Sequence, residues 1–144
     1  PRQSARAVIP TIITQLLTQE SVYLGDKRPI RDFNFVEDTV EGFIAAAGSS
    51  AAIGQVLNVG HGKGISIGGL VELLQEIMGM KKTVMTDPDR LRPSKSEVNE
   101  LICDYSKANE LMGWEPKVSL REGLAQSIEF IESNLHFFKP GVYT

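Results

Sequence analysis

The chain has 144 residues, 42% hydrophobic and 23% charged, a composition that suits one globular domain or a large part of one with a real core. Its formal net charge is −3, from 15 Lys and Arg against 18 Asp and Glu, so it lacks the basic excess that nucleic acid or an anionic membrane surface would select. The single cysteine, Cys103, excludes an internal disulfide framework, and no apolar run approaches the ~20 residues needed to cross a bilayer.

Pro1-Arg2-Gln3-Ser4 carries no initiator Met and runs almost directly into an amphipathic segment, as in a chain cut from something longer. With no signal-peptide pattern, the expected compartment is the cytoplasm. Apolar residues at 8, 9, 12, 13, 16 and 17 predict a first helix over Val8–Leu17. Ser21–Leu24 is a short strand candidate ended by the turn residues Gly25 and Asp26, and the alternation over Ile30–Val36 suits a second extended segment. Asp38, with Glu41 three residues on, then reads as the cap of a helix carrying Val40, Phe43 and Ile44 and broken at Gly48-Ser49-Ser50.

Val56–Val59 is the clearest strand in the sequence, followed by the loop Gly60–Gly64. Ser66 is placed to cap a helix with apolar positions 67, 70, 71, 74, 77 and 78, which Gly79 closes. Lys82–Met85 is a weaker strand candidate, and residues 87–96, with two prolines, read as loop. Ser106–Met112 is a short helix stopped by Gly113, with Trp114 positioned to pack on it. Ser119 and Glu122 form a capping box that opens a last helix with apolar residues at 120, 124, 128, 131 and 135. The class is therefore α/β, with too few strong strands for a complete doubly wound sheet.

Two local patterns look catalytic and are not. Gly60-x-Gly62-x-Gly64 has the wrong spacing for a dinucleotide loop, and no acidic residue follows about 20 residues on at the end of a second strand. Tyr23 and Lys27 match Tyr-x-x-x-Lys in letters only, because a strand and a turn do not stack i and i+4 side chains as a helix does. His61 and His136 lack metal-ligand spacing, and Cys103, beside Leu101 and Ile102, reads as a buried small hydrophobe. The arginines carry more chemistry. Arg31 lies between hydrophobic neighbours, while Arg90 and Arg92 sit in the proline-bounded loop; guanidinium forks suit bidentate contact with phosphate oxygens. Adjacent Asp32 and Asp89 leave surface ion pairing as the alternative. Tyr23, Phe33, Phe35 and Trp114 read as core aromatics, Tyr23 also as a candidate wall of a nucleobase pocket.

The string of motifs resembles the extended short-chain dehydrogenase/reductases that act on nucleotide sugars. Pro1-Arg2-Gln3 is similar to the end of their Tyr-Gly-Pro-Arg element. Leu24-Gly25-Asp26 and Arg31-Asp32-Phe33-Asn34-Phe35-Val36-Glu37-Asp38 are similar to their Gly-Asp-Gly and Arg-Asp-Phe-x-x-Val-x-Asp stretch. Val56-Leu57-Asn58-Val59-Gly60, Arg92-Pro93 through Glu97-Val98, Asp104-x-x-Lys107-Ala108 and Leu111-Met112-Gly113-Trp114-Glu115-Pro116 follow in the family's order. The segments Ser4–Pro10 and 90–98 resemble most the sugar-nucleotide 4,6-dehydratases among the epimerases and dehydratases of that family.

This resemblance implies that residues 1–144 form the sugar-nucleotide-binding, C-terminal portion of an NAD- or NADP-dependent enzyme whose Rossmann half is largely absent. It implies Arg31 and Arg92 as diphosphate ligands with Arg90 as a substitute, Arg6, Val8 and Ile9 beside the nucleobase, and Glu97 near the ribose or the arginine loop. The glycine-rich cofactor loop, the Tyr-x-x-x-Lys pair and the acid–base residues of the family all fall upstream of Pro1. In such enzymes NAD takes a hydride from sugar C4, the Tyr accepts the hydroxyl proton, and a dehydratase then loses water across C5–C6 before the hydride returns. The chain alone is accordingly expected to be inactive, the parent to be a homodimer, and the apolar face meant for the missing half to favour self-association. The competing expectation is a stand-alone nucleotide-sugar-binding or assembly module that never had a catalytic half.

Overall fold

The computed structural model describes residues 3–91 and 98–138. Three helices bring its core together: α1 (Val8–Thr18), α3 (Ile67–Ile77) and α5 (Leu120–Ser133), with α2 (Val36–Gly48) and α4 (Ser106–Met112) outside that contact. Ile12, Ile13 and Leu16 of α1 meet Leu70 and Leu74 of α3 and Leu124 of α5, joined by Val22 of strand β1 (Ser21–Leu24). Burying an Ile or Leu is worth about 1.5–3 kcal/mol, so this three-helix contact outweighs anything that strands of two to four residues contribute.

The helix ends follow local chemistry. The Ser66 hydroxyl accepts a hydrogen bond from Gly69 N at 3.0 Å, and the chain leaves α3 through Gly79 at φ 63°. Gly113, at φ 65°, ends α4 in the left-handed conformation that glycine adopts without a steric penalty. The capping box at Ser119 and Glu122 forms in both directions, and its hydrogen bonds hold the Glu122 carboxyl below the usual glutamate range. The stripe read for α1 understates its burial, since Pro10 through Leu16 are all enclosed. Its polar members are satisfied internally. Thr14 Oγ1 donates to Pro10 O at 2.8 Å, while the Gln15 amide accepts from Tyr23 N at 2.6 Å and donates to Tyr23 O at 3.2 Å.

The strands form two small sheets. In one, β1 runs parallel to β4 (Thr83–Thr86), with Ser21 opposite Thr83 and Leu24 opposite Thr86. In the other, β2 (Ile30–Asp32) lies between β3 (Gly64–Ser66), antiparallel to it, and β5 (Glu100–Leu101), parallel to it. The α/β class holds. The extended segment expected over Ile30–Val36 pairs only through Asp32, and α2 starts at Val36.

Three expectations are corrected. Val56–Val59 forms no strand; Val56 is 84% exposed, and the segment runs beside residues 101–104 without entering a ladder. β-Propensity is realised only where a partner strand supplies the hydrogen bonds. β3 forms instead from the last glycine of the run, Gly64, through Ser66, paired with β2; the close approach requires glycine at 64, where a methyl would lie 2.5 Å from Ile30 Cγ2. Finally, Asp38 does not cap α2. The N-cap position is Phe35 with no side-chain bond, and Asp38 lies within the first turn at 3% exposure, its carboxylate accepting from Lys117 N at 2.9 Å and Val118 N at 3.1 Å.

The same helix faces opposite to its apolar pattern. Gly42 is buried against Val59, where an added Cβ would meet Cγ1 at 2.8 Å, and Trp114 donates its indole N–H to Asp38 O at 3.1 Å. Val40, Phe43 and Ile44 point outward, Phe43 at 74% exposure. No helix among the described residues is long and apolar enough to cross a membrane.

Candidate functional site: an arginine-lined cleft

The end of β1, strand β2, the approach to α1 and the turn after β4 surround a cleft of about 870 Å³. Arg6 and Val8 line it from the start of α1, Arg31 from β2, and Arg90 from a single turn of 3-10 helix at Pro88–Arg90. Leu24, Phe33 and Ile67 supply an apolar floor. Three guanidinium groups from three separated segments thus border one space, and Arg31 holds its Nη1 against Ile30 O at 2.8 Å.

Three of the four aspartates that line the cleft, Asp26, Asp32 and Asp87, are tied to neighbours, and Asp89 brings a fourth carboxylate next to Arg90. Asp26 accepts from Arg28 Nη2 at 2.7 Å, and these hydrogen bonds hold its carboxyl at about 2, below the usual aspartate value. Asp87 Oδ2 pairs with Arg90 Nε at 2.9 Å. Asp32 turns its carboxylate to the backbone, accepting from His61 N at 3.1 Å, Gly62 N at 2.8 Å and Cys103 N at 3.1 Å. The amides at the start of α3 are used as well: Ile67 N donates to Pro29 O and Gly68 N to Lys27 O, at 3.0 and 2.9 Å. By contrast, α1 begins with no side-chain cap and no acid in its first turn, so its partial positive end adds to the field of the arginines.

The glycine run at 60–64 does not fit a dinucleotide pyrophosphate. Its amides at His61 and Gly62 already serve Asp32, and its open sides are filled: a Cβ at Gly60 would overlap Cys103, and one at Gly62 would lie 2.7 Å from Tyr105. The glycines are there for close packing. Among the described residues no cluster of His, Cys, Asp and Glu is arranged to hold a metal ion.

Of the residues singled out in the sequence, Arg6, Val8, Arg31 and Arg90 come together. Ile9 does not join them; it lines a separate hollow of about 270 Å³ with Phe33, Phe35 and Leu120. Tyr23 is also elsewhere. Side chains alternate along a strand, so Val22 and Leu24 turn inward while the Tyr23 ring lies on the opposite face, 43% exposed. Its part is played by its carbonyl, which accepts from Arg90 Nη1 at 2.8 Å. Arg92 and Glu97 lie outside the described residues. Sequence reasoning missed Gly25, Phe33 and Asp87. The signal for Asp87 was present, an Asp immediately before Pro88, the pattern that starts a helical turn.

Cys103 is half-buried; burial, followed by the neighbouring Asp32 and Asp104 carboxylates, pushes its thiol above the ordinary value. Since the thiolate is the reactive form, iodoacetamide at pH 8 is expected to modify the folded chain more slowly than the urea-unfolded chain. Equal rates by mass spectrometry would contradict this placement.

A cleft lined by three arginines and four aspartates, with Leu24, Phe33 and Ile67 beside them, offers guanidinium donors to an anion that carries a flat or apolar group. The family model described as GDP-mannose 4,6 dehydratase matches residues 1–127, and the chain belongs to this family, among the extended short-chain epimerases and dehydratases. A Bacillus subtilis protein named as an uncharacterized UDP-glucose epimerase, YtcB, is 32% identical over 92% of this chain and 41% of its own length. The UDP-glucose 4-epimerase of Thermotoga maritima, solved with UDP-glucose, is 36% identical with a TM-score of 0.82, over 94% of this chain and 43% of that one. The UDP-glucuronic acid 4-epimerase of Bacillus cereus, solved with UDP-glucuronic acid and NAD, is 29% identical with a TM-score of 0.83, over 93% and 42%. The chain thus spans about two fifths of the length of the relatives it matches.

Proposed function

We propose that these residues form the sugar-nucleotide-binding wall of an NAD- or NADP-dependent epimerase or dehydratase. The observation that carries this reading is the convergence of Arg6, Arg31 and Arg90 on one cleft with an apolar floor. The diphosphate lies against Arg31 and Arg90, with Arg92 as a further ligand, and the nucleoside lies toward Arg6 and Val8. Glu97 is assigned to the ribose. The cofactor and the acid–base groups come from polypeptide corresponding to the other three fifths of the relatives, so the chain by itself is catalytically inactive. The name of the matching family model favours dehydration of the sugar, while the relatives solved with UDP-sugars favour epimerisation.

The partner for the outward face of α2, where Val40, Phe43 and Ile44 are exposed, is the rest of such an enzyme. In its absence the same surface promotes self-association, and a chain that stays strictly monomeric at high concentration would count against this.

Titration with UDP-, GDP- and dTDP-sugars tests the central claim. Arg31→Ala is expected to weaken binding about tenfold, the effect of losing one charge-assisted hydrogen bond to phosphate, with little change in unfolding midpoint. Unchanged affinity would remove Arg31 from the site. Sub-micromolar binding by the wild-type chain would instead show a self-contained pocket, as a stand-alone binding module requires.

A further inference from the structure

Arg90 is held in place before any ligand arrives, by a turn that is itself fastened to β1. Asp87 follows β4 and donates its backbone N–H to Leu24 O at 2.7 Å. Its carboxylate then does two things: Oδ1 accepts from Asp89 N at 3.1 Å, closing the turn, and Oδ2 accepts from Arg90 Nε at 2.9 Å. Arg90 Nη1 reaches the Tyr23 carbonyl at 2.8 Å. Gly25 completes the fit, because a Cβ there would overlap the Arg90 carbonyl oxygen. A guanidinium is planar, so contacts at Nε and Nη1 fix the plane of the group and the heading of Nη2.

We propose that Asp87 is a positioning residue for phosphate recognition, one that sets the guanidinium of Arg90 at the angle the diphosphate of a nucleotide requires. The proposal rests on the nucleotide reading of the cleft and adds a residue that touches no ligand. A long, flexible cation loses rotamer freedom when it binds; here that freedom is lost on folding, which favours the later binding step. The role opposes a simple charge argument. Asp87 places a negative charge beside an anion site, so by Coulomb's law alone its removal should tighten binding of a polyanion. Positioning demands the reverse sign.

That difference in sign is the test. The isotopically labelled 144-residue chain is titrated with UDP and with inorganic pyrophosphate, following amide shifts at the cleft. Asp87→Asn keeps an oxygen for Asp89 N and removes the negative charge, so the turn has its cap in both forms. Asp87→Asn is expected to weaken binding of both probes by about tenfold, as Arg90→Ala does, at an unfolding midpoint close to wild type. In an Arg90→Ala background, Asp87→Asn is expected to add no further loss, since its effect passes through Arg90. Tighter or unchanged binding by Asp87→Asn, or a second full loss in the double variant, would overturn the positioning role while leaving the nucleotide site intact. If the wild-type chain binds neither probe, or binds them with no sensitivity to Arg31→Ala, the nucleotide reading itself fails and the role of Asp87 falls with it.

Discussion

Asp38→Ala is expected to lower the unfolding free energy by about 2–4 kcal/mol, because it removes a buried charged acceptor and leaves two half-buried amide donors unmade. Among the described residues this carboxylate is what accepts from the amides of Lys117 and Val118, and it sits almost wholly out of water. Its backbone carbonyl receives the Trp114 indole, so one residue in the first turn of α2 fastens that helix to the segment between α4 and α5. A domain of this size has a total stability of only about 5–15 kcal/mol, so the substitution removes a large part of it. Asp38→Asn keeps the volume and one acceptor but turns an N–H₂ toward a donor, and is expected to lose about 1.5–3 kcal/mol. Urea denaturation of the three proteins measures both. An Asp38→Ala midpoint equal to wild type would mean that water replaces the carboxylate without loss.

Asp32→Ala is the second large effect, expected at about 2–4 kcal/mol on the same reasoning, with half-burial moderating each orphaned donor. Here the carboxylate gathers three amides from two distant segments, His61 and Gly62 in the glycine run and Cys103 after β5. The loss should therefore be local as well as global. Amide exchange at those three positions is expected to accelerate in Asp32→Ala, while exchange in the middle of α3 and α5 follows global stability alone. Uniform acceleration along the chain would show that Asp32 does not clip the loop. Because Asp32 also lines the cleft, nucleotide affinity is a second readout of the same variant.

These two carboxylates mark what the sequence could and could not disclose. The caps of α3 and α5 and the glycine stops after α3 and α4 were legible because each depends on residues within a few positions of one another; β1 and β4 were legible by composition and form because each has the other to pair with. Asp38 looked like a local cap because Glu41 stands three residues on, yet its partners are 79 and 80 positions away. Val56–Val59 has the composition of a strand, but composition does not report whether an edge is present to pair with. The outward turn of Phe43 was hidden for a related reason: the inner face of α2 is defined by Asp38, Gly42 and Trp114, not by its largest hydrophobics. In the cleft, Arg31 and Arg90 were identified by chemistry, and their convergence needed coordinates. Tyr23 was placed in the cleft by its aromatic character and taken out of it by strand alternation.

Gln15 has a further consequence for how the molecule behaves among its copies. The main-chain N–H and carbonyl of Tyr23 lie on the side of β1 away from β4, where another strand would otherwise dock. The glutamine amide occupies both, a side chain imitating the rung of a neighbouring ladder, and it is anchored in a helix that is buried along most of its length. Addition of a further strand at the outer edge of β1, a usual first step of strand-mediated aggregation, is blocked there from inside the fold.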